Sequence, residues 1–326
     1  WRCAPRPMLD DIVNALHACR SEREFWRVHI KAENALTPIE VAALITFSHR
    51  LPDASRLWLE GLASLGNFAA AEPPRFCRQP LAPHIDLYRD PFVPSERKQL
   101  IFGFCGAANR LMMPIACVLQ YLPADACDLV LLRDPAKLHY IYGIPPYAGS
   151  LAGLALRLRA DFAAEPYRRI VCYGTSMGGF VALQCGILMR ADAAISIGGR
   201  FAWHPPRLLR EPTETVPGFD PLCACNAATA TELVCYHSAN QVDVADATLL
   251  ARVVPVQRIA MHETSEHNII LALCDQGRLK DFYADVFEFS AARTGLRAAG
   301  QTISAVARVA PGAQRAAGLA SPPGPH

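Results

Sequence analysis

The chain has 326 residues, of which 52% are hydrophobic, and a formal net charge of +2. A chain of this size can bury a large core, and it fits one large α/β domain with additions better than two equal domains. Because residues 291–326 carry four arginines and no acid, the rest of the chain is nearly neutral, which argues against a nucleic-acid enzyme with a basic binding face.

Membrane spans, secretory signals and metal sites are not indicated. The longest strongly apolar stretches, such as residues 111–122, are shorter than the roughly 20 residues that cross a bilayer as a helix. The chain begins at Trp1 without a basic segment followed by an apolar one, so we expect no secretory signal. Twelve scattered cysteines, many in apolar segments, favour a reduced, cytoplasmic setting. The close pair at residues 223–225 lacks the partners of a metal site, so we expect no metal and no cofactor.

The first 83 residues predict a helical region followed by a linker. Apolar residues recur at helical spacing from Leu9 to Leu16, and Thr37 and Glu40 have the spacing of a capping box around Pro38. We expect these helices to cover one edge of the domain that follows. The alternative is a separate module that binds a protein partner.

From residue 84 to residue 290 the pattern becomes strand, helix, strand, which is typical of a mostly parallel sheet with helices on both faces. Continuous apolar runs predict strands that are buried on both sides. The predicted strands are residues 85–88, 100–104, 129–133, 170–173, 194–197, 233–237 and 256–261.

Two segments do not follow this pattern. Residues 201–231 are rich in proline and form the candidate lid, with a packed surface excursion as the alternative. Residues 291–326 are rich in Ala, Gly, Pro and Arg and predict a mostly disordered tail. A short basic helix around residues 301–309 is the alternative there.

A serine lies between glycines at the point where a predicted strand gives way to a helix. Gly174-Thr175-Ser176-Met177-Gly178 follows four β-prone residues and precedes an apolar stretch of helical character. This is the pattern of a nucleophile elbow, a tight turn that lifts the serine hydroxyl clear of the sheet. We therefore predict acyl transfer through Ser176.

A serine hydroxyl needs a general base before it becomes a good nucleophile. His267 lies in a loop between the strand at residues 256–261 and an apolar helix, where a mobile base is expected. His262 is closer to the strand end, and His237 belongs to the preceding strand. His267 is therefore the predicted base.

The base in turn needs a carboxylate that orients its ring. Asp243 follows the strand at residues 233–237 and is the predicted acid, with Asp246 in reserve. Either aspartate could instead cap the helix that begins near Ala245, as aspartates before helices often do.

An oxyanion needs backbone N–H donors. One donor is predicted at Met177, directly after the nucleophile. The other is predicted at Gly106 or Ala107, in the small-residue loop after the strand at residues 100–104. A tight turn without a chemical role is the alternative for this loop.

Over residues 84–290 these motifs resemble the α/β-hydrolase superfamily, through the Gly-Thr-Ser-Met-Gly string, the order Ser176, Asp243, His267, and the glycine-containing loop after an early strand. The resemblance implies an eight-stranded or similar sheet, a Ser-His-Asp triad and ester, thioester or amide substrates. The N-terminal helices are not required by that fold.

The leading functional hypothesis is a serine hydrolase of the carboxylesterase or thioesterase type that acts on a small-molecule acyl substrate. An acyltransferase would use the same triad and acyl-enzyme. A non-catalytic binding protein on the same fold, with the N-terminal helices as its partner surface, belongs to another class. A nucleotide-binding role is disfavoured because the turn lacks the Gly-Lys-Ser/Thr ending of a phosphate-binding loop.

Overall fold

The computed structural model describes residues 6–66, 68, 72–200 and 230–289, and in them the chain forms one eight-stranded sheet flanked by helices. The strands are β1 (Cys77–Ala82), β2 (Ile85–Arg89), β3 (Gln99–Phe104), β4 (Cys127–Leu132), β5 (Arg169–Thr175), β6 (Ala193–Ile197), β7 (Glu232–Ser238) and β8 (Gln257–Met261). The candidate lid at 201–231 lies almost wholly, and the predicted tail and the cysteine pair at 223–225 entirely, outside the described residues.

The strand order across the sheet is β1-β2-β4-β3-β5-β6-β7-β8. β2 pairs antiparallel with β1 and with β4, whereas all pairs from β4 to β8 are parallel. Parallel strands place their carboxyl ends at one edge of the sheet, so the loops after β3, β5, β7 and β8 meet there. The predicted mostly parallel α/β sheet is confirmed.

The helices of the described residues cover both faces of the sheet. They are α1 (Arg6–Ala18), α2 (Glu22–Glu33), α3 (Pro38–Thr46), α4 (Asp53–Ser64), α5 (Ile115–Leu119), α6 (Leu151–Asp161), α7 (Met177–Met189), α8 (Gln241–Val253), α9 (Ile269–Asp275) and α10 (Leu279–Val286). Successive strand residues point to opposite faces. In β3, Ile101 packs in one apolar cluster, while Leu100 and Phe102 pack in the other with α6 and α7.

The N-terminal helices share an apolar cluster with the sheet. Leu16, Leu36 and Leu59 are almost fully buried and belong to the same apolar cluster as Ile101 and Leu129 of the sheet. The capping box at the start of α3 is present as predicted, with Pro38 at the first helical position. The apolar stripes of these helices are thus buried in a cluster that also contains side chains of the sheet. The expectation that the helices cover one edge of the domain stays a prediction.

Strand β1 is absent from the sequence-based prediction, which placed the start of the sheet at residue 84. β1 pairs with β2, so the sheet begins at Cys77, within the segment assigned to the linker. The strand is at the sheet edge and is only partly buried, and it contains Pro80. An edge strand needs no continuous apolar run and tolerates proline, which is why the hydrophobic pattern did not reveal it.

The cysteines of the described residues are of two kinds. Eight are free, and six of those eight are buried. Cys77 at the start of β1 is disulfide-bonded, so the expected reduced state does not extend to every cysteine. No helix among the described residues combines the length and the apolar character that a membrane span requires.

Candidate active site

The turn between β5 and α7 has the backbone of a nucleophile elbow. Ser176 adopts φ 50° and ψ −120°. L-residues rarely adopt this backbone conformation because it is strained, and such strained residues cluster at functional sites. The Ser176 N–H donates to the Ile197 carbonyl at 2.9 Å. A Cβ at Gly178 would overlap the backbone of Phe104, so only glycine lets the start of α7 approach the end of β3 this closely.

His267 lies within hydrogen-bond distance of this serine. Its Nε2 is 2.9 Å from Ser176 Oγ, although 91 positions separate the two residues in the chain. The His267 side chain is 31% exposed, and Ser176 is partly exposed. A base that can receive the hydroxyl proton and still be reached from outside the core is therefore in place. The other two histidines considered above lie elsewhere, with His237 inside β7 and His262 exposed beyond β8.

Asp243 completes the series on the other side of the imidazole. Its Oδ1 is 2.9 Å from His267 Nδ1, and its side chain is 1% exposed. Asp243 is in the first turn of α8, but the cap of that helix is Asn240, whose side chain accepts from the Val242 N–H at 2.9 Å. Asp243 is therefore not the cap of this helix.

Asp246 does not contact the imidazole. It lies one turn later in α8, and its Oδ2 is 3.7 Å from Arg200 Nη1. Arg200 also lies 3.9 Å from Asp243, so the guanidinium is shared between the two carboxylates. Of the two aspartates considered, the geometry brings only Asp243 to His267.

The second oxygen of Asp243 is satisfied by a residue that the sequence analysis did not single out. Ser238, the last residue of β7, donates its hydroxyl to Asp243 Oδ2 at 2.7 Å and accepts from the Asn240 N–H. Burial raises the pKa of Asp243, but hydrogen bonds from His267 and Ser238, together with the charges of His267 and Arg200, lower the pKa more. The carboxylate is thus held in its charged form. A polar residue at the carboxyl end of a buried strand is the signal that points to Ser238.

The loop after β3 lies against the elbow. A Cβ at Gly106 would be 3.3 Å from Ser176 Cβ. The Gly106 N–H, however, donates to the Arg110 carbonyl at 2.9 Å, so it is not available to an oxyanion in this structure. Among the described residues, no backbone hydrogen bond outside the helices and strands has the N–H of Ala107 or of Met177 as its donor. This corrects the prediction at Gly106, because the tight turn closes through that N–H, and leaves Ala107 as the candidate donor in the loop.

The residue after the base also anchors the site. Asn268 caps α9 by accepting from the Leu271 N–H at 3.0 Å, and its amide donates to the Met112 carbonyl at 2.9 Å. Through Asn268 the loop that carries His267 is tied to the loop that follows β3. Sequence patterns show the cap but not this second, long-range contact.

The sheet order, the strained serine between β5 and α7, and the chain order Ser176, Asp243, His267 together decide the fold. The chain has the α/β-hydrolase fold. The arrangement can take a proton from a serine hydroxyl, hold the resulting imidazolium beside a carboxylate, and offer backbone N–H groups to a developing oxyanion.

Comparisons with known proteins give only distant similarities. No family model matches the chain, and no curated protein is similar in sequence. Among solved structures, 2,6-dihydroxy-pseudo-oxynicotine hydrolase is 15% identical with a TM-score of 0.44, covering 88% of this chain and 90% of its own. A hormone-sensitive lipase from a metagenome library is 13% identical with a TM-score of 0.46, covering 80% and 100%. An esterase of Pyrobaculum calidifontis is 15% identical with a TM-score of 0.44, covering 72% and 91%.

Each of these TM-scores is below 0.5, and each identity is below 25%. Similarities this distant say nothing about the substrate of this chain. The fold assignment therefore rests on the sheet order and the side-chain geometry described above.

Proposed function

We propose that the protein is a serine hydrolase that cleaves an ester or thioester of a small molecule through an acyl-enzyme. The observation that supports this is the continuous series of hydrogen bonds from Ser176 Oγ to His267 Nε2 and from His267 Nδ1 to Asp243 Oδ1, each 2.9 Å long. A serine hydroxyl within hydrogen-bond distance of an imidazole that a carboxylate orients is the arrangement in which the imidazole takes the hydroxyl proton and the serine acts as a nucleophile.

The first half of the reaction forms the acyl-enzyme. Ser176 Oγ attacks the carbonyl carbon of the substrate while its proton passes to His267 Nε2. The carbonyl oxygen becomes an oxyanion, which accepts hydrogen bonds from the N–H groups of Met177 and Ala107. The imidazolium, stabilised by Asp243, then gives its proton to the leaving oxygen or sulfur as the bond from that atom to the carbonyl carbon breaks.

The second half releases the acid. His267 takes a proton from a water molecule, the hydroxide attacks the acyl carbon, and the same N–H groups hold the second oxyanion. The bond to Ser176 Oγ breaks as His267 returns the proton to that oxygen. Asp243 stays ionised throughout, as its lowered pKa requires.

Labelling with a fluorophosphonate tests the proposal. We expect the unaltered chain to be labelled, and Ser176→Ala and His267→Ala to lose the label. Ser64→Ala, which removes an exposed hydroxyl of α4, is the control that keeps the label. Turnover of a panel of acyl esters and thioesters then separates the carboxylesterase and thioesterase types. A folded, unlabelled protein would favour the non-catalytic binding function, and a label that survives Ser176→Ala would mean that another residue is the nucleophile.

A further inference from the structure

A line of polar contacts joins the N-terminal helices to the loop after β3. Glu33, the last residue of α2, forms an ion pair with Arg110 of that loop. The other carboxylate oxygen of Glu33 accepts from Trp58 Nε1 of α4 at 2.7 Å. The Glu33 and Arg110 side chains are only 13% and 22% exposed, so this pair is less screened than the exposed ion pairs that contribute little.

The Trp58 side chain, which donates to Glu33, is itself held in place by neighbouring side chains. The Trp58 ring stacks on the His29 ring with a centroid distance of 4.4 Å and an interplanar angle of 5°. The His29 ring is further placed by a 3.3 Å contact between its Nε2 and Ser55 Oγ. The position of the Glu33 carboxylate is therefore fixed by contacts within α2 and α4 as well as by Arg110.

On the other side, the backbone of Arg110 holds the catalytic turn. Its carbonyl accepts from the Gly106 N–H at 2.9 Å and from Thr175 Oγ1 at 3.4 Å. Thr175 directly precedes the nucleophile, so one carbonyl joins the loop after β3 to the elbow. The direction of the Ala107 N–H, which lies inside the turn that this carbonyl closes, depends on where Arg110 is held.

We infer that Glu33 is a positioning residue for the oxyanion site: by holding Arg110 it sets the turn that presents the Ala107 N–H to the substrate oxygen. This inference rests on the proposed hydrolase function. It assigns α2 and α4 a part in catalysis, which neither edge coverage nor a separate partner module would give them.

The test uses Glu33→Gln in the full chain. Glutamine keeps the shape and can still accept from Trp58 but loses the charge that holds Arg110. We expect kcat for ester hydrolysis to fall about 10- to 100-fold with KM little changed, because small misplacements of a positioning group have effects of this size. Affinity for a boronic acid, which forms a tetrahedral adduct on Ser176, should fall in parallel with kcat.

Three further variants separate positioning from stability. Asp53→Asn breaks an exposed ion pair within α4 and should leave both readouts unchanged. Leu44→Ala opens the buried side of α3 and should lower the melting temperature without changing kcat at a temperature where the variant is folded. Trp58→Phe keeps the ring but removes the N–H donor, and should lower kcat and boronate affinity together, by less than Glu33→Gln.

The outcomes distinguish the two proposals. If Ser176→Ala is inactive while Glu33→Gln matches the unaltered chain within about twofold in kcat and boronate affinity, the inference is wrong and the hydrolase function stands. A lower kcat with unchanged boronate affinity also contradicts the inference, because the loss is then outside the oxyanion site. Should Glu33→Gln fail to fold, unchanged boronate affinity in Trp58→Phe contradicts it. An unaltered chain that neither turns over esters nor binds the boronic acid contradicts both proposals.

Discussion

Buried aspartates lie at both ends of the sheet, and the two have different surroundings. At the carboxyl ends of the strands, Asp243 contacts His267, whose other ring nitrogen faces the partly exposed Ser176. At the opposite ends, Asp128 of β4 accepts from Lys98 Nζ at 2.8 Å and from Tyr167 at 2.8 Å. The side chains of Lys98 and Asp128 are fully buried.

The pKa values of these two aspartates move in opposite directions. The pKa of Asp243 is lowered, because hydrogen bonds and nearby positive charge outweigh burial. The pKa of Asp128 is raised, because burial outweighs the hydrogen bonds and charge supplied by Lys98, Tyr167 and Arg89. A buried and paired carboxylate is therefore not by itself a sign of chemistry. What distinguishes Asp243 is that its partner, His267, also contacts the hydroxyl of the partly exposed Ser176.

The largest effect expected at the carboxyl end is that of Asp243→Asn. An amide in place of the carboxylate stops stabilising the imidazolium and favours the wrong tautomer of His267, so kcat should fall by about 10,000-fold. Steady-state hydrolysis of an ester measures it. Asp246→Asn, one helical turn away, is the matched control and should retain nearly full activity. Equal losses in both variants would mean that the geometry has been assigned the wrong acid.

At the amino end, Asp128→Asn should act on stability instead. Removing one partner leaves Lys98 buried without its counter-charge, which lowers the free energy of unfolding by about 3–5 kcal/mol. Urea unfolding measures this loss, and the folded fraction should keep its kcat. Replacing both partners, as Lys98→Met with Asp128→Leu, should recover much of the loss. A fall in kcat without a fall in stability would remove the distinction between the two ends of the sheet.

The elbow and the triad could be predicted because their signals are local or ordered. Glycines around Ser176 after a β-prone run indicate the turn directly, and the order of Asp243 and His267 follows from alternating strands and helices. The choice between Gly106 and Ala107 could not be made, because it depends on which N–H closes the turn onto Arg110.

The contacts of the N-terminal helices could not be predicted from the sequence for a related reason. The apolar stripe around Leu16 predicts that one helix face is buried but does not say against which surface. The pairing of Glu33 with Arg110 joins residues 77 positions apart, and a single sequence carries no signal of such a contact. Edge strand β1 was missed because it is only partly buried and so lacks an apolar run.

A smaller effect is expected for Ser238→Ala. Its hydroxyl donates to Asp243 Oδ2 at 2.7 Å, and hydrogen bonds to charged groups contribute about 1.5–3 kcal/mol, so kcat should fall about 10- to 100-fold. The pKa of Asp243 should rise in this variant, because one of the hydrogen bonds that lower it is removed. Ser265→Ala, an exposed serine close to His267 in the chain, is the control. An unchanged kcat in Ser238→Ala would mean that the imidazole alone is sufficient to orient Asp243.

The smallest effect expected is a difference in how the two aspartates make stability depend on pH. Above the ordinary value of 3.8, Asp128 keeps its proton in the folded chain up to its raised pKa, so its contribution to the free energy of unfolding falls as pH rises through that window. Below 3.8, Asp243 stays ionised in the folded chain, so its contribution is lost as pH falls toward its lowered pKa.

Urea unfolding of the unaltered chain, Asp128→Asn and Asp243→Asn across this range should therefore give stability differences that change with pH on opposite sides of 3.8. Asp53→Asn, whose side chain is 86% exposed, is the control. Differences that change on the same side of 3.8 for both aspartates would contradict the contrast between the two ends of the sheet, because the local balance of burial and hydrogen bonding would then be the same at each.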